Sequence, residues 1–367
     1  SDALSSVAYA TEEVLLVLML AGSSFLYLSV PISLAIIGLL LVVVISYRQT
    51  IYEYPNGGGA FVVAKENLGE AAGLTAGASL LIDYVLTVAV SVSAGIAAIV
   101  SAIPSLEPHT VTICAVAIAI LTFTNLRGLQ ESATIFSIPT YAFIFSILIM
   151  IAVGTFKLLT GEFTHIDPPV IPVQHELTLF LLLRAFSSGC TAMTGVEAVS
   201  NGVPVFQHPE SKNASITLIV MSAILAVMFF GITYLAHFHG IAPTHSETVL
   251  SQLARSIFGT SATYYFIQFT TMSILVLAAN TSYTGFPRLA SLLAQDRYLP
   301  RQLASLGDRL VFSNGILILS ALAFALIFMF NARTHALIPL YAVGVFLSFT
   351  LSQFGMVIHC LKEKKHA

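Results

Sequence analysis

From Ala71 to Ile103 the chain carries a single charged residue, Asp83, within a run of Ala, Gly, Leu, Ile, Val and hydroxylated side chains. A segment this long and apolar has few options. A helix of about 20 such residues spans the hydrocarbon core of a bilayer. Inside lipid every backbone polar group must also be paired within the segment, which a helix does. Composition points the same way. Apolar residues make up 57% of the 367 and charged residues 9%, with a mean hydropathy of +0.90, against about 25% charged in soluble domains. So few charges cannot cover the surface of a water-soluble chain this long. The class is an all-α integral membrane protein.

About ten spans can be drawn, near 3–22, 27–50, 70–103, 108–126, 131–159, 177–205, 212–238, 262–295, 311–331 and 335–361. The third and eighth exceed the bilayer thickness and call for tilt or a kink. Lys and Arg are distributed unevenly between the loops. Eleven lie in loops 2–3, 4–5, 6–7 and 8–9 and the C-terminal tail, against Lys157, Arg255 and Arg333 in the opposite loops; Arg184 sits inside span 6. The positive-inside rule then places the N terminus and the C-terminal tail in the cytoplasm. Acids and histidines such as Glu107, His109, Glu162, His165, Asp167, His175, Glu176, His245 and Glu247 fall on the outer side. The chain opens without Met, already inside a helical pattern, and ends on Lys362, Lys364 and Lys365. Residues are therefore expected beyond both ends. No cleavable signal peptide is visible.

Ten spans divide into five and five, so the second half would enter the membrane inverted, the plan of many secondary transporters. The expected organisation is one transport domain over 1–367, with repeats of about 1–160 and 177–361. Spans 1 and 6, the first of each half, both carry a Ser-Ser pair followed by Glu: "SDALSSVAYATEE" and "AFSSGCTAMTGVEAVSNGVP". Gly189, Gly195, Gly202 and Pro204 make span 6 the least regular helix. Irregular backbone at membrane depth is tolerated where it lines a cavity or is buried in protein.

Acids within the spans are few: Asp2, Glu12, Glu13, Asp83 and Glu197. An acid at mid-membrane costs about 2.5–3.5 kcal/mol even on the most lenient scale. In "LIDYVLTVAVSVSAG", Asp83, Thr87 and Ser91 stand four apart and form one stripe of oxygens, with Tyr84 at its edge. Span 6 adds Thr191, Thr194 and Glu197 at spacings of three, and span 1 offers Asp2, Ser6 and Tyr9 near one face. Carboxylates and hydroxyls without nitrogen or sulfur ligands suit a hard cation. A carboxylate held away from water also takes up protons more readily. The same constellation can bind a cation and couple it to protons. Against this stand ordinary interhelical hydrogen bonds for the hydroxyls and an ion pair between Asp83 and Arg184. Glu12 and Glu13 receive no role.

Other motifs lead nowhere. Cys114, Cys190 and Cys360 are scattered, which indicates neither disulfides nor a metal site. "HFH" at 237–239 lacks a third ligand and is expected as surface histidines. "YPNGGGAF" lacks the Lys-Ser/Thr of a phosphate loop and is expected as a tight turn that lets backbones approach. Neither a catalytic triad order nor a metalloprotease helix is present, no transition-metal site or cofactor is expected, and no basic run suits nucleic acid.

"YRQTIYEYPNGGGAFVVAKENLG" and "ASLLAQDRYLPRQLASLGDRLVFSNGI" resemble the shared signatures of the amino acid–polyamine–organocation (APC) superfamily, which implies the LeuT-like fold with helices 1 and 6 broken. Amino-acid members usually have a glycine-rich break in span 1. Here no glycine precedes Gly22 and an acid stands at Asp2, a departure that would repel a substrate carboxylate. Asp2-x3-Ser6-x2-Tyr9 is instead similar to the span-1 motif of the KUP family of proton-coupled potassium importers. "LIDYVLTVAVSVSAG", "AFSSGCTAMTGVEAVSN" and "HALIPLYAVGVF" resemble its bacterial KimA-type branch. The resemblance implies potassium-lining roles for Asp2, Tyr9, Asp83, Tyr84, Thr87, Ser91, Thr194 and Tyr341. It makes Glu197 the leading proton-coupling acid, with Asp2 as a second. It further implies a bacterial plasma-membrane location, two more spans and a cytoplasmic domain beyond this chain, a homodimer, and regulation by cyclic di-AMP through those missing regions.

The expected function is potassium uptake coupled to protons by alternating access. An amino-acid or polyamine permease on the same fold is the alternative. A potassium channel or sensor is disfavoured by the lack of a filter sequence such as TVGYG.

Overall fold

The computed structural model describes residues 2–57, 59–128, 133–162, 176–244, 246–305 and 312–366, with side chains at 133–135 and 363–366 left aside. His165, Asp167, His175, His245, Arg309 and the side chains of Lys364 and Lys365 lie outside the described residues.

Among the described residues the regular structure is helical. Span 1 comprises α1 (Asp2–Ser5) and α2 (Val7–Met19), and span 2 is α3 (Ser29–Glu53). A short helix, α4 (Gly59–Leu68), precedes span 3, α5 (Glu70–Ala102). Spans 4 and 5 are α6 (Thr110–Leu126) and α7 (Ala133–Thr160). Span 6 comprises α8 (Leu179–Gly189) and α9 (Ala198–Asn201), and span 7 is α10 (Glu210–Phe238). A second short helix, α11 (Val249–Phe258), precedes span 8, α12 (Ala262–Gln295). Spans 9 and 10 are α13 (Ser313–Met329) and α14 (Thr334–His366). Eight helices satisfy the length and hydropathy of a membrane crossing. The 17-residue α13 and the interrupted α1–α2 pair complete ten. The chain is a multi-pass membrane protein.

Helix ends follow local chemistry. α5 stops at Ile103, before Pro104, because the residue preceding proline is pushed out of the helical region. Thr248 caps α11 by accepting from Ser251 N. At 1.5 Å per residue α5 and α12 are each about 50 Å long, well over the hydrocarbon thickness, so both lie tilted or project beyond it.

The two halves pack in register. α2 contacts α8, α3 contacts α10, α5 contacts α12 and α6 contacts α13, so four of the first five spans touch their own counterparts. α4 lies on α5 as α11 lies on α12, and α5 meets α14 as α12 meets α7. This is the contact pattern of two five-span repeats intertwined about a central axis, and an odd span count per half makes the repeat inverted. α5 is buried along most of its length, whereas α6 turns Val116, Ile120 and Phe123 outward.

Between helices the contacts are close and partly polar. A Cβ on Gly189 would lie 2.4 Å from Val14 and 2.6 Å from Ile36, so this glycine lets spans 1, 2 and 6 meet. Thr122 of α6, Ser320 of α13 and Tyr283 of α12 form a triangle of hydroxyls at 2.7 to 3.3 Å. Asn125 Nδ2 donates to Asn280 Oδ1 at 2.7 Å one turn away. Such bonds help hold helices together in a solvent as apolar as the side chains themselves. Ser320→Ala should lower thermal stability in detergent by about 0.6–1.7 kcal/mol; an unchanged melting temperature would show that the triangle holds nothing.

Several expectations are refined. Cys114 and Cys190 are buried free thiols. His237 is half-buried and His239 fully buried, so "HFH" is not a surface pair. Its helix end is packed into the protein, which its apolar neighbours already favour. The glycine turn brings backbones together as expected. A Cβ on Gly57 would lie 2.9 Å from Asn201 O.

Candidate functional site

Spans 1 and 6 both lose regularity near their middles, to different degrees. In span 1 only Ser6 is out of the helix, with helical dihedrals of −61° and −24°. Its hydroxyl donates to Ala3 O at 2.7 Å and to Ala192 O at 2.8 Å. A serine that bonds back to its own helix disturbs the ladder without a glycine, and here it also binds the neighbouring break. Span 6 is broken outright. A tight turn over Cys190–Met193 leads to an extended Thr194 (ψ 144°) and to Gly195 at φ +80° before α9 begins.

Gly195 is where the two breaks meet. A Cβ there would stand 2.7 Å from Ala3 N and 2.9 Å from the Asp2 carboxyl. Its φ also lies where side chains are strained. Both reasons demand glycine, and both place Asp2 against the span 6 backbone.

Around this junction the sequence candidates come together. On α5, Asp83 faces both Glu197 and Thr87, with Asp2 close by. Tyr9 of α2 reaches Thr194 and Tyr341, and Thr87 Oγ1 donates to the Tyr341 hydroxyl at 3.2 Å. Tyr84 lies near Asn201 at the end of α9 and packs so closely on Gly285 that a Cβ there would come within 2.6 Å of its ring. Ser91 is buried two turns beyond Asp83 on the same stripe. Tyr9, Asp83, Thr87, Thr194, Glu197 and Tyr341 are all buried as well.

The electrostatics are one-sided. Asp2, Asp83 and Glu197 converge, and among the described residues none forms an ion pair with Lys or Arg. Asp83 Oδ1 and Glu197 Oε2 are buried with no hydrogen-bond donor among the described residues. Buried acceptors are ordinarily paired, and carboxylates sharing a site cannot all be charged without compensation. The Asp83–Arg184 pair considered from sequence does not form. Arg184 lines a crevice with Glu13 and His335 instead.

Access differs on the two sides. From the α4 side a cavity of about 490 Å³ reaches Asp2 and Tyr84, with Asn201 and Arg288 in its wall. On the α11 side a vestibule of about 670 Å³ ends at Glu12 and His335. Sequence reasoning missed this second cluster. Glu12 and Glu13 were visible as intramembrane acids, but their partner lies 322 residues from Glu13, and no short-range signal joins them.

A family model described as amino acid permease matches residues 1–366. The chain belongs to the amino acid permease family. Within the family it is 52% identical over 370 residues to the potassium transporter KimA of Bacillus subtilis, covering 99% of this chain and 60% of that protein. The chain thus spans about three-fifths of that relative's length. It is 24% identical over 204 residues to the low-affinity putrescine importer PlaP of Escherichia coli K12, covering 52% of this chain and 42% of that one.

Gly195→Ala should abolish any ligand-dependent activity of the permease. It should also lower its melting temperature, since a side chain at φ +80° costs about 1–2 kcal/mol before the clash with Asp2 is counted. Wild-type stability and activity in this variant would show that the two breaks do not need their close approach.

Proposed function

We propose that this chain belongs to a proton-coupled potassium importer working by alternating access. The observation that carries the reading is the set of carboxyl groups at the junction of spans 1, 3 and 6, whose buried oxygens Asp83 Oδ1 and Glu197 Oε2 find no donor, and whose members find no Lys or Arg ion-pair partner, among the described residues. The 52% identity to a potassium transporter supports the choice of ion.

Potassium would shed its water along a path lined by Asp2, Tyr9, Asp83, Tyr84, Thr87, Ser91, Thr194 and Tyr341, whose oxygens suit a hard, weakly held cation. Glu197, the most enclosed acid of the three and in contact with Asp83, would carry the coupled proton, with Asp2 able to assist. The α4 side would face the cytoplasm, since the excess of Lys and Arg lies there. The structure then corresponds to a state open inward, with the site closed to the outside. Spans 1, 2, 6 and 7 would rock against the rest. A bacterial plasma-membrane location, a homodimer and control by cyclic di-AMP through other parts of the full-length protein belong to the same reading and rest on the family resemblance.

Uptake of rubidium as a potassium surrogate into proteoliposomes should rise severalfold when the outside is made acidic relative to the lumen. Uptake indifferent to that gradient sinks proton coupling. Glu197→Gln should retain passive exchange and lose gradient-driven accumulation. The similarity to a putrescine importer favours a second reading, because a polycation would also suit these acids. Excess putrescine should leave rubidium uptake unchanged, and strong competition would move the assignment to a polyamine permease.

A further inference from the structure

One turn along α2 from Tyr9, the adjacent acids Glu12 and Glu13 are only 4% and 6% exposed in their side chains. Buried carboxylates need partners, and both find the same imidazole. His335 Nδ1 lies 2.7 Å from Glu13 Oε1, and its Nε2 lies 3.4 Å from Glu12 Oε1. The other oxygen of Glu12 accepts the Val249 backbone N–H at 3.1 Å, at the first residue of α11. The cluster thereby ties span 1 to span 10 and to the short helix over the entrance.

Its position is that of a plug. The α11-side vestibule ends on Glu12 and His335, and beneath them a cavity of about 40 Å³ is lined by Tyr9, Glu12, Ala97, Thr248 and His335. That volume holds a water, so the cluster stands between the vestibule and the first tyrosine of the site. Opening the entrance means pulling α2 away from His335 and α11.

The contacts also count protons. A neutral imidazole has one N–H and a carboxylate has none. His335 Nδ1 hydrogen-bonds Glu13 and Nε2 stands at ion-pair distance from Glu12, so a singly protonated ring would leave two adjacent buried carboxylates with no positive charge between them. The closed cluster needs a second proton, on the ring or on a carboxyl. We propose that Glu12, Glu13 and His335 form a proton-binding site, distinct from the Asp83–Glu197 group, whose occupation closes the α11-side entrance. Other charges face it. Arg184 of α8 shares a crevice with Glu13 and His335, and Arg333 lines the vestibule, both opposing the extra proton. Glu107 and Glu247 line the vestibule and favour it, although Glu247 is paired with Arg255 at 3.2 Å. In the small cavity beneath, α5 and α12 present Ala94, Ala97, Ala98 and Thr271, none of them charged.

The site's place in a transport cycle rests on the reading above, but its test needs no transport. Ala94→Cys places a thiol beneath the cluster, at a position that lines the small cavity and not the vestibule, and a membrane-impermeant maleimide is applied from the α11 side between about pH 6 and 8. The protein without the added thiol gives the background. The same thiol in Glu13→Gln is the reference, because the glutamine amide donates to the imidazole lone pair and keeps the cluster closed without the second proton. The labelling rate relative to that reference should be near unity at low pH and rise about tenfold per pH unit once the proton leaves, as one linked proton requires. His335→Ala should label fast at every pH. A ratio constant with pH overturns the proposal, as does Glu13→Gln labelling faster than the parent at low pH; these two proteins decide the matter even if His335→Ala does not fold. Absent rubidium uptake with the labelling pattern intact would overturn the transport reading and leave this site standing.

Discussion

Carboxyl groups gathered in a low-dielectric interior without a basic partner are the constraint around which the rest of this structure is arranged. Burying one such group is expensive, and bringing Asp2, Asp83 and Glu197 together multiplies the difficulty. Among the described residues no Lys or Arg pairs with them. Instead the structure supplies hydroxyls, and it breaks span 6 beside the loosened turn of span 1 at Ser6 so that backbone and side-chain oxygens can converge. Gly195 allows that convergence by accepting a left-handed backbone and the close approach of Asp2. Ser6 links the two breaks through Ala192. A site assembled this way is stable when something positive shares it, which makes its occupancy part of its folding energetics.

The two mouths are built from equivalent parts with different chemistry. α4 and α11 occupy matching positions in the two halves. At the α4 mouth the ties are exposed: Lys65 Nζ meets Asp296 Oδ2 at 2.7 Å, Tyr298 bonds to Glu70, and the Asp296 hydrogen bond holds Lys65 above its ordinary range. These contacts join the two stretches that carry the superfamily signature. Exposed pairs of this kind contribute little to stability, and the cavity beside them is wide. At the α11 mouth the ties are buried, on Glu12 and Glu13, and the passage narrows to about 40 Å³. The same fold therefore keeps one mouth weakly fastened and the other strongly fastened.

Much of this was legible in the sequence because a bilayer simplifies the code. The third and eighth spans, expected at 70–103 and 262–295, are observed at Glu70–Ala102 and Ala262–Gln295. The Asp83–Thr87–Ser91 stripe follows from helical spacing alone. The glycines of span 6 announced its break. What stayed hidden was short or distant. α4 and α11 are ten residues each, below any membrane threshold. The buried positions of α11, Val249, Leu250, Leu253, Ala254 and Ile257, do show a one-sided helical pattern behind the Thr248 cap. The pairing of Glu13 with His335 depends on the packing of span 1 against span 10, which no local pattern encodes. The mildness of the span 1 break was also unreadable, because a serine hydroxyl can either disturb a helix or decorate it.

That mild break bears on cargo. A wide, glycine-rich opening in span 1 exposes backbone N–H groups, and helix N-termini at membrane depth attract anionic groups. In this chain span 1 keeps helical dihedrals through Ser6, so few N–H groups are freed there. The position nearest the other break is taken by the Asp2 carboxyl. Asp2 makes the local field negative at the place where freed N–H groups would make it positive. A substrate with a carboxylate would meet Asp2, Asp83 and Glu197 together, whereas a bare cation would meet the partners their buried oxygens lack.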